Sequence, residues 1–367
     1  MSDGPATAEH LEGVSSSREV SIEELQLSQR NHGMHLEGLR HDITPAGMHY
    51  LLIHFDVPEA DDATWTLSVG GLVRKSLELS MIDLRSRPSL TMPVTMECAG
   101  NGRARLSPRP ISQPWINEAI GTAEWIGTPL RPILEEAGIE ENAVELVFRG
   151  ADHGVQGGVE QDYERSLTID DAMRDEVLLA YEMNGAPLPP QHGFPLRLVV
   201  PGWYGMTSVK WLTGITAVTE PFDGYQQVAY RFRQRPEDEG EPVTRMRPRS
   251  LMIPPGIPDF MTRSRIADAG HHVLRGRAWS GWGPIERVEV SADGGSTWAT
   301  AELGDAVSPH AWRSWSFDWD AQPGTIELSC RATDEAGNEQ PLEPSWNLGG
   351  FSNNAVQRVS VEVRPRG

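Results

Sequence analysis

The alternation of apolar and polar positions divides the chain into a mixed first part and a strand-rich second part. Trp65, Leu67 and Val69 alternate with polar neighbours as in a half-buried strand, which turns at Gly70-Gly71 into further extended chain as far as Leu84. Pro93-Val94-Thr95-Met96 is a short β-prone run. It stops at Cys98-Ala99-Gly100-Asn101-Gly102, where glycine and asparagine mark a sharp turn. Thr128-Pro129, then Leu130, Ile133, Leu134 and Ala137 with Gly138 behind them, predict a capped helix. A second helix is predicted over 168–183, opened by Thr168 with Asp171 and closed by Asn184-Gly185. Residues 194–200 and 208–218 read as strands. After Tyr230 the pattern changes to an acidic stretch (236–242) and the stiff Pro254-Pro255-Gly256-Ile257-Pro258. Beyond it, alternating segments predict strands over 273–278, 285–291, 298–303, 312–319, 326–333 and 356–363, with Asp293-Gly294-Gly295 as a hairpin turn. The expected fold class is α+β. A disordered tail (1–20) precedes a mixed α/β domain (21–242), and an antiparallel β-sandwich follows (243–367).

Composition narrows the function classes. A chain of 367 residues exceeds what one core usually serves, in keeping with two domains. No apolar run is long enough to predict a membrane span. The 32 basic and 52 acidic residues leave a net charge of −20, which repels nucleic acid and anionic lipid. An anionic substrate would therefore need cations concentrated at its site. Two cysteines, Cys98 and Cys330, make no disulfide framework, and Cys330 reads as a small core residue. The first twenty residues carry neither an apolar leader core nor a twin arginine, so the expected location is cytoplasmic, or periplasmic if a leader has been removed.

Two stretches carry candidate chemistry. Cys98 on its Gly-rich turn, with Arg103 and Arg105 close in sequence, should hold a thiolate stabilised by positive charge. A thiolate serves a soft metal or acts as a nucleophile, although a buried structural cysteine is the commoner case. The second stretch runs from His192-Gly193-Phe194-Pro195-Leu196-Arg197 to Ser208-Val209-Lys210-Trp211. It sets an imidazole, a guanidinium and an ammonium along two predicted strands, as a polyanionic cofactor would require. Solvated charges at strand ends are the plainer alternative.

In residues and in order these stretches resemble the sulfite oxidase family, over about residues 49–363. The family's Cys-Ala-Gly-Asn turn stands at Cys98 to Asn101. The resemblance continues through 178–185, the His192 to Arg197 stretch, Val209-Lys210-Trp211 and Trp346-Asn347-Leu348. It implies that Cys98 ligates molybdenum beside a pyranopterin (molybdopterin) cofactor gripped by His54, Asp152, His192, Arg197, Ser208 and Lys210. It implies Tyr230 and Arg103 as the groups that orient substrate. The second domain then resembles the family's immunoglobulin-like dimerisation domain, which implies a homodimer. No haem-attachment motif is found, so the expected electron acceptor is separate, such as a cytochrome. The implied activity is oxygen-atom transfer to sulfite or a related sulfur compound. An S- or N-oxide reductase with the same cofactor is the first alternative, and a non-catalytic cofactor-binding or interaction protein the second.

The sequence departs from that family at three cationic positions. Leu52 and Gly349 stand where sulfite-oxidising members carry anion-binding arginines, and Gly102 replaces the first arginine after the cysteine turn. Arg40, Arg105, Arg109, Arg245, Arg247 and Arg249 are the sequence candidates to compensate.

Overall fold

The structure, a computed structural model, describes residues 14–15 and 19–366. Most of the expected tail lies outside the described residues. Val14 and Ser15, however, pair with Pro110 and Arg109 as a short antiparallel ladder, so that part of it is tied down.

The first part is built on two sheets. In one, Leu90–Glu97, Ile120–Pro129, Leu178–Met183 and Ala186–Pro187 follow one another in space, and Arg197–Val199 also pairs with Leu178–Met183. The other runs Leu77–Ser80, Thr66–Gly71, Leu212–Val218, Glu145–Gln156, Val159–Thr168. Only its Leu212–Val218/Thr66–Gly71 pair is parallel. Apolar faces of both sheets meet in a core that includes Leu67, Phe148, Leu179 and Ile215.

Several sequence expectations change here. Thr168 does cap a helix through Asp171 N–H, but that helix is only Ile169–Ala172. Leu178–Met183 is a strand with partners on both sides. Its residues are buried on both faces, and a continuous apolar run of this kind cannot be told from a helix by periodicity. Thr128 and Pro129 finish the strand Ile120–Pro129, and the helix is Arg131–Ala137, ended by Gly138 at φ 67°. Residues 81–85 are not extended. Ser80 and Asp83 form a capping box that opens the helix Met81–Arg85. The strand predicted over 208–218 starts only at Leu212, because Trp211 adopts φ 50° and breaks the extended run.

The second part is a β-sandwich. One sheet orders Arg249–Met252, Gly270–Trp279, Arg313–Ala321, Glu302–Ala306. The other orders Ile257–Pro258, Arg265–Asp268, Gln357–Arg364, Gly324–Asp334, Ile285–Ser291, Ala299–Thr300. The ladders are antiparallel except Arg265–Asp268 against Gln357–Arg364. The segment predicted as one strand over 298–303 is divided between the sheets at Ala301, whose side chain enters the core. Cys330, Trp315 and Trp319 lie in that core, whereas Trp282 is exposed under Arg245.

The two parts share a third apolar cluster, in which Ala99, Tyr204 and Tyr230 meet Trp279, Trp312 and Phe351. A buried polar clasp lies beside it. Glu97 accepts from Arg249 at 2.8 Å and from the Trp279 indole at 2.9 Å, while Arg249 also donates to Asn117 at 2.9 Å. The second part thus holds the residue that immediately precedes Cys98.

Candidate functional site

Cys98 follows the last residue of its strand and lines a narrow cleft open to solvent. Cys98 N–H donates to Ala119 O at 2.9 Å, and Asn101 N–H closes the turn on Cys98 O at 2.9 Å. The Asn101 amide then donates to Glu97 Oε1 at 2.9 Å, tying the turn to the clasp. Gly102 takes φ 91°, and a Cβ there would lie 2.7 Å from Asn353 O, so both the backbone and its neighbour demand glycine. Burial pushes the Cys98 thiol pKa up, against the pull of Arg103, the Gly100 N–H and Trp115. This corrects the expectation of a thiolate held by Arg103 and Arg105. Desolvation wins, and Arg105 is exposed and lines a different groove. A soft metal cation would supply the missing stabilisation and deprotonate the thiol.

The other cleft residues come from five separate segments. His192 ends the 3-10 turn Pro190–His192, and Ser208 and Lys210 sit on the loop before Leu212. Asp152 stands on the strand Glu145–Gln156, and of the imidazole, guanidinium and ammonium only Arg197 stands on a strand, so the expected pair of cation-bearing strands is one strand and two loops. Arg197 donates to His192 O at 2.9 Å and Ser208 O at 3.1 Å and stacks 4.7 Å over Trp125, while its Nε has no partner. Lys210 Nζ donates to Leu52 O at 2.8 Å and Gln191 O at 3.2 Å, which leaves one N–H free. Ser208 Oγ accepts from Val200 N–H at 3.1 Å. Asp152 Oδ1 is buried without a partner. Burial raises the Asp152 pKa and lowers that of Lys210, each against the attraction of the other. His192 is held neutral, its pKa pushed down to about 2 by burial and then by His49, Arg197 and Lys210.

On the other side, His54 Nε2 lies 3.1 Å from Tyr230 Oη. The His54 pKa falls to about 4 through burial first and then Lys210, Arg103 and Arg165, so the imidazole is neutral. Tyr230 stacks on Phe351 at 4.8 Å, and Arg103 lies 5.4 Å over Phe351. Arg103 Nε donates to Gly349 O at 2.9 Å, so the glycine that replaces a family arginine still holds a neighbouring one by its main chain.

All nine predicted residues therefore surround one region. Seven line the cleft, and Arg103 and Tyr230 stand behind it. Tyr50, Met96, Tyr163 and Met206 also line it and were not anticipated. Tyr163 belongs to the strand Val159–Thr168, which the sequence reading passed over, although Gly157-Gly158 before it is a hairpin signal. The six arginines proposed as compensating cations lie elsewhere: none lines the cleft, Arg249 and Arg109 are paired with Glu97 and Glu24, and Arg245 faces Asp171 and Trp282.

Comparison with known proteins identifies the family. The family model for the oxidoreductase molybdopterin-binding domain matches residues 54–226, and that for the Mo-co oxidoreductase dimerisation domain matches 244–364. Mitochondrial sulfite oxidase of Rattus norvegicus is 36% identical over 348 residues, covering 88% of this chain and 62% of that protein. The chain thus spans under two thirds of the curated sulfite oxidases it matches. Nitrate reductase [NADH] 1 of Oryza sativa subsp. japonica is 33% identical over 355 residues, covering 88% of this chain and 38% of that one. The sulfane dehydrogenase SoxCD structure from Paracoccus pantotrophus superposes with a TM-score of 0.75 at 30% identity, covering 87% of this chain and 81% of that one. The chain belongs to the sulfite oxidase family of molybdopterin-binding oxidoreductases.

Proposed function

We propose that this chain is an oxygen-atom-transfer enzyme that oxidises sulfite or a closely related sulfur oxyanion, works as a homodimer and passes electrons to a separate acceptor such as a cytochrome. The observation that carries this reading is the cleft itself. A cysteine faces a set of buried polar atoms that lack partners, namely Asp152 Oδ1, Arg197 Nε and the free Lys210 N–H. Unpaired buried polar atoms are expensive in a folded chain and point to a ligand that satisfies them. A molybdenum–pyranopterin group fits the donor set, with Cys98 for the soft metal, Asp152 for ring N–H groups, and Arg197 and Lys210 for the phosphate. When bound, that group supplies the oxygen atom and receives the electron pair.

The chain's own residues then bind and orient the substrate. With His54 neutral and its Nε2–H donating to Tyr230 Oη, the phenol O–H is free to be donated to a substrate oxygen. Burial, and then the Cys98 charge, keep the Tyr230 pKa above its ordinary value, so it serves as a donor and not as a base. Arg103 is pinned by Gly349 O and Phe351, and it presents positive charge where an oxyanion gathers. Tyr163 Oη donates to Met206 O at 2.8 Å and fixes the wall on which His54 rests.

The likeness to a nitrate reductase supports a second reading, in which an oxyanion is reduced at the same site. Sulfite-dependent ferricyanide reduction by protein carrying about one molybdenum per chain tests the first reading. Metal-loaded protein that ignores sulfite but oxidises a reduced dye with nitrate, or with an S- or N-oxide, would favour the second.

A further inference from the structure

One buried guanidinium is used by none of the roles above. Arg165 is 1% exposed, on the same strand face as Tyr163, and is fixed by a 2.5 Å hydrogen bond to Gln226 O. Its Nε has no partner. Its guanidinium carbon lies 5.5 Å over the Tyr230 ring. A continuous stack therefore runs Arg103, Phe351, Tyr230, Arg165, with cations at both ends.

Neither cation has a counter-ion in contact. Their hydrogen bonds go to main-chain oxygens of Gly349, Gln113 and Gln226, and among the described residues neither makes an ion pair. The carboxylates that act on them do so at longer range. Glu24 is committed to Arg109, and Glu145 accepts from Phe222 N–H. Two buried positive charges without an anion are unfavourable unless a negative ligand joins them.

We propose that Arg165 is a specificity-determining residue of this site: across the Tyr230 ring it replaces positive charge missing at Leu52 and Gly349, and so selects a small oxyanion over a neutral sulfur compound. This rests on the reading above that substrate sits beside Tyr230. Arg165 acts through the phenol it stacks on and through its charge, which already reaches His54 and Tyr230. It is a positioning residue.

The test uses metal-loaded enzyme and two tetrahedral sulfur probes that are not turned over, sulfate and neutral dimethyl sulfone, measured by titration calorimetry. Wild type is expected to bind sulfate at least about tenfold more tightly than the sulfone. Arg165→Met and Arg165→Gln should weaken sulfate, and raise the sulfite KM more than they change kcat, by about ten- to a hundredfold, with molybdenum content unchanged. Arg165→Lys, which keeps the charge, should stay within about threefold of wild type. Equal binding of sulfate and sulfone by wild type overturns the proposal without any variant, even if the neutral variants fail to accumulate. So does sulfate binding indifferent to Arg165→Met, or a Lys variant as weak as the Met one. Should wild type ignore sulfite while its sulfate binding still depends on Arg165, the sulfite-oxidation reading falls and this inference stands.

Discussion

At Cys98 the local turn and the buried surroundings work against each other, and the proposed metal would resolve the conflict. Burial favours the thiol, so the thiolate persists only with a cation bound to it. Cys98→Ser is therefore expected to lose molybdenum and to cut turnover by about a hundredfold or more; metal analysis and turnover on the same preparation check this. Retention of both would remove Cys98 as the ligand. The three neutral positions differ in how readily they revert. Leu52 lines the cleft and is half-buried, so Leu52→Arg should lower the sulfite KM by about tenfold. At Gly349 a Cβ would lie 2.2 Å from the Phe351 ring, so Gly349→Arg must break the Phe351–Tyr230 stack. It is expected to lower kcat instead, and steady-state kinetics of the two variants distinguish these outcomes. Cys98 was legible in the sequence because a turn of glycine and asparagine is a local signal. Arg165 was not, since its meaning depends on a ring 65 residues later that only the tertiary fold places against it.

Among the elements, the strand Leu90–Glu97 matters most because its end is fixed from the other domain. Glu97 and Arg249 are each 2% exposed at the side chain, and Glu97 also holds Asn101 and Trp279. Removing one member of such a pair leaves an unpaired buried charge, so Arg249→Met should destabilise the protein by about 3–5 kcal/mol. The same change should also loosen Asn101 and lower metal retention. The double variant Glu97→Gln/Arg249→Met should recover much of the stability; denaturant midpoints for the three proteins decide this, and a double variant as unstable as the single one contradicts the account. Nothing local announces this clasp, because its partners lie 152 residues apart. The same distinction explains the secondary structure. The helix Arg131–Ala137 was legible because its apolar spacing and its terminal glycine agree, although Pro129, expected in its first turn, ends the preceding strand and Pro132 takes that place. Residues 178–183 were misread because a strand buried on both faces shows no period of two, and only pairing with two neighbours identifies it.

On the scale of the whole molecule, a chain of net charge −20 carries buried guanidinium groups without an ion-pair partner among the described residues, at Arg103, Arg165 and Arg197. That interior suits anions and is hostile to further cations, which makes the buried histidines a liability in acid. His49 donates Nδ1–H to Tyr50 O, and burial, aided by Arg197 and His32, pushes its pKa down to about 4. His54 falls to about 4 and His192 to about 2, from an ordinary value of 6.5. Each depressed value means that between pH 6.5 and the folded value the unfolded chain binds a proton that the folded chain refuses. Stability is then complete above pH 6.5 and lost as pH falls below it. One proton is worth about 1.4 kcal/mol per pH unit, so at pH 5 each histidine removes about 2 kcal/mol. Carboxylates whose pKa values are lowered by partners, such as Glu24 beside Arg109 and Glu37 beside Arg265, add stability that is lost only at lower pH. The denaturation midpoint of cofactor-free protein should accordingly fall gently from pH 8 to 7, where the Lys210 pKa, lowered by burial to about 7, costs stability, and steeply from 6.5 to 5. Unfolding at pH 5 should take up close to three protons at these histidines, less the one that Asp152, its pKa raised by burial, gives up; the net is measurable from the buffer dependence of the calorimetric heat. A flat midpoint across that window would mean that the three imidazoles are charged or solvated in the folded protein. The cationic interior proposed to make the cleft selective for anions would then be screened by water.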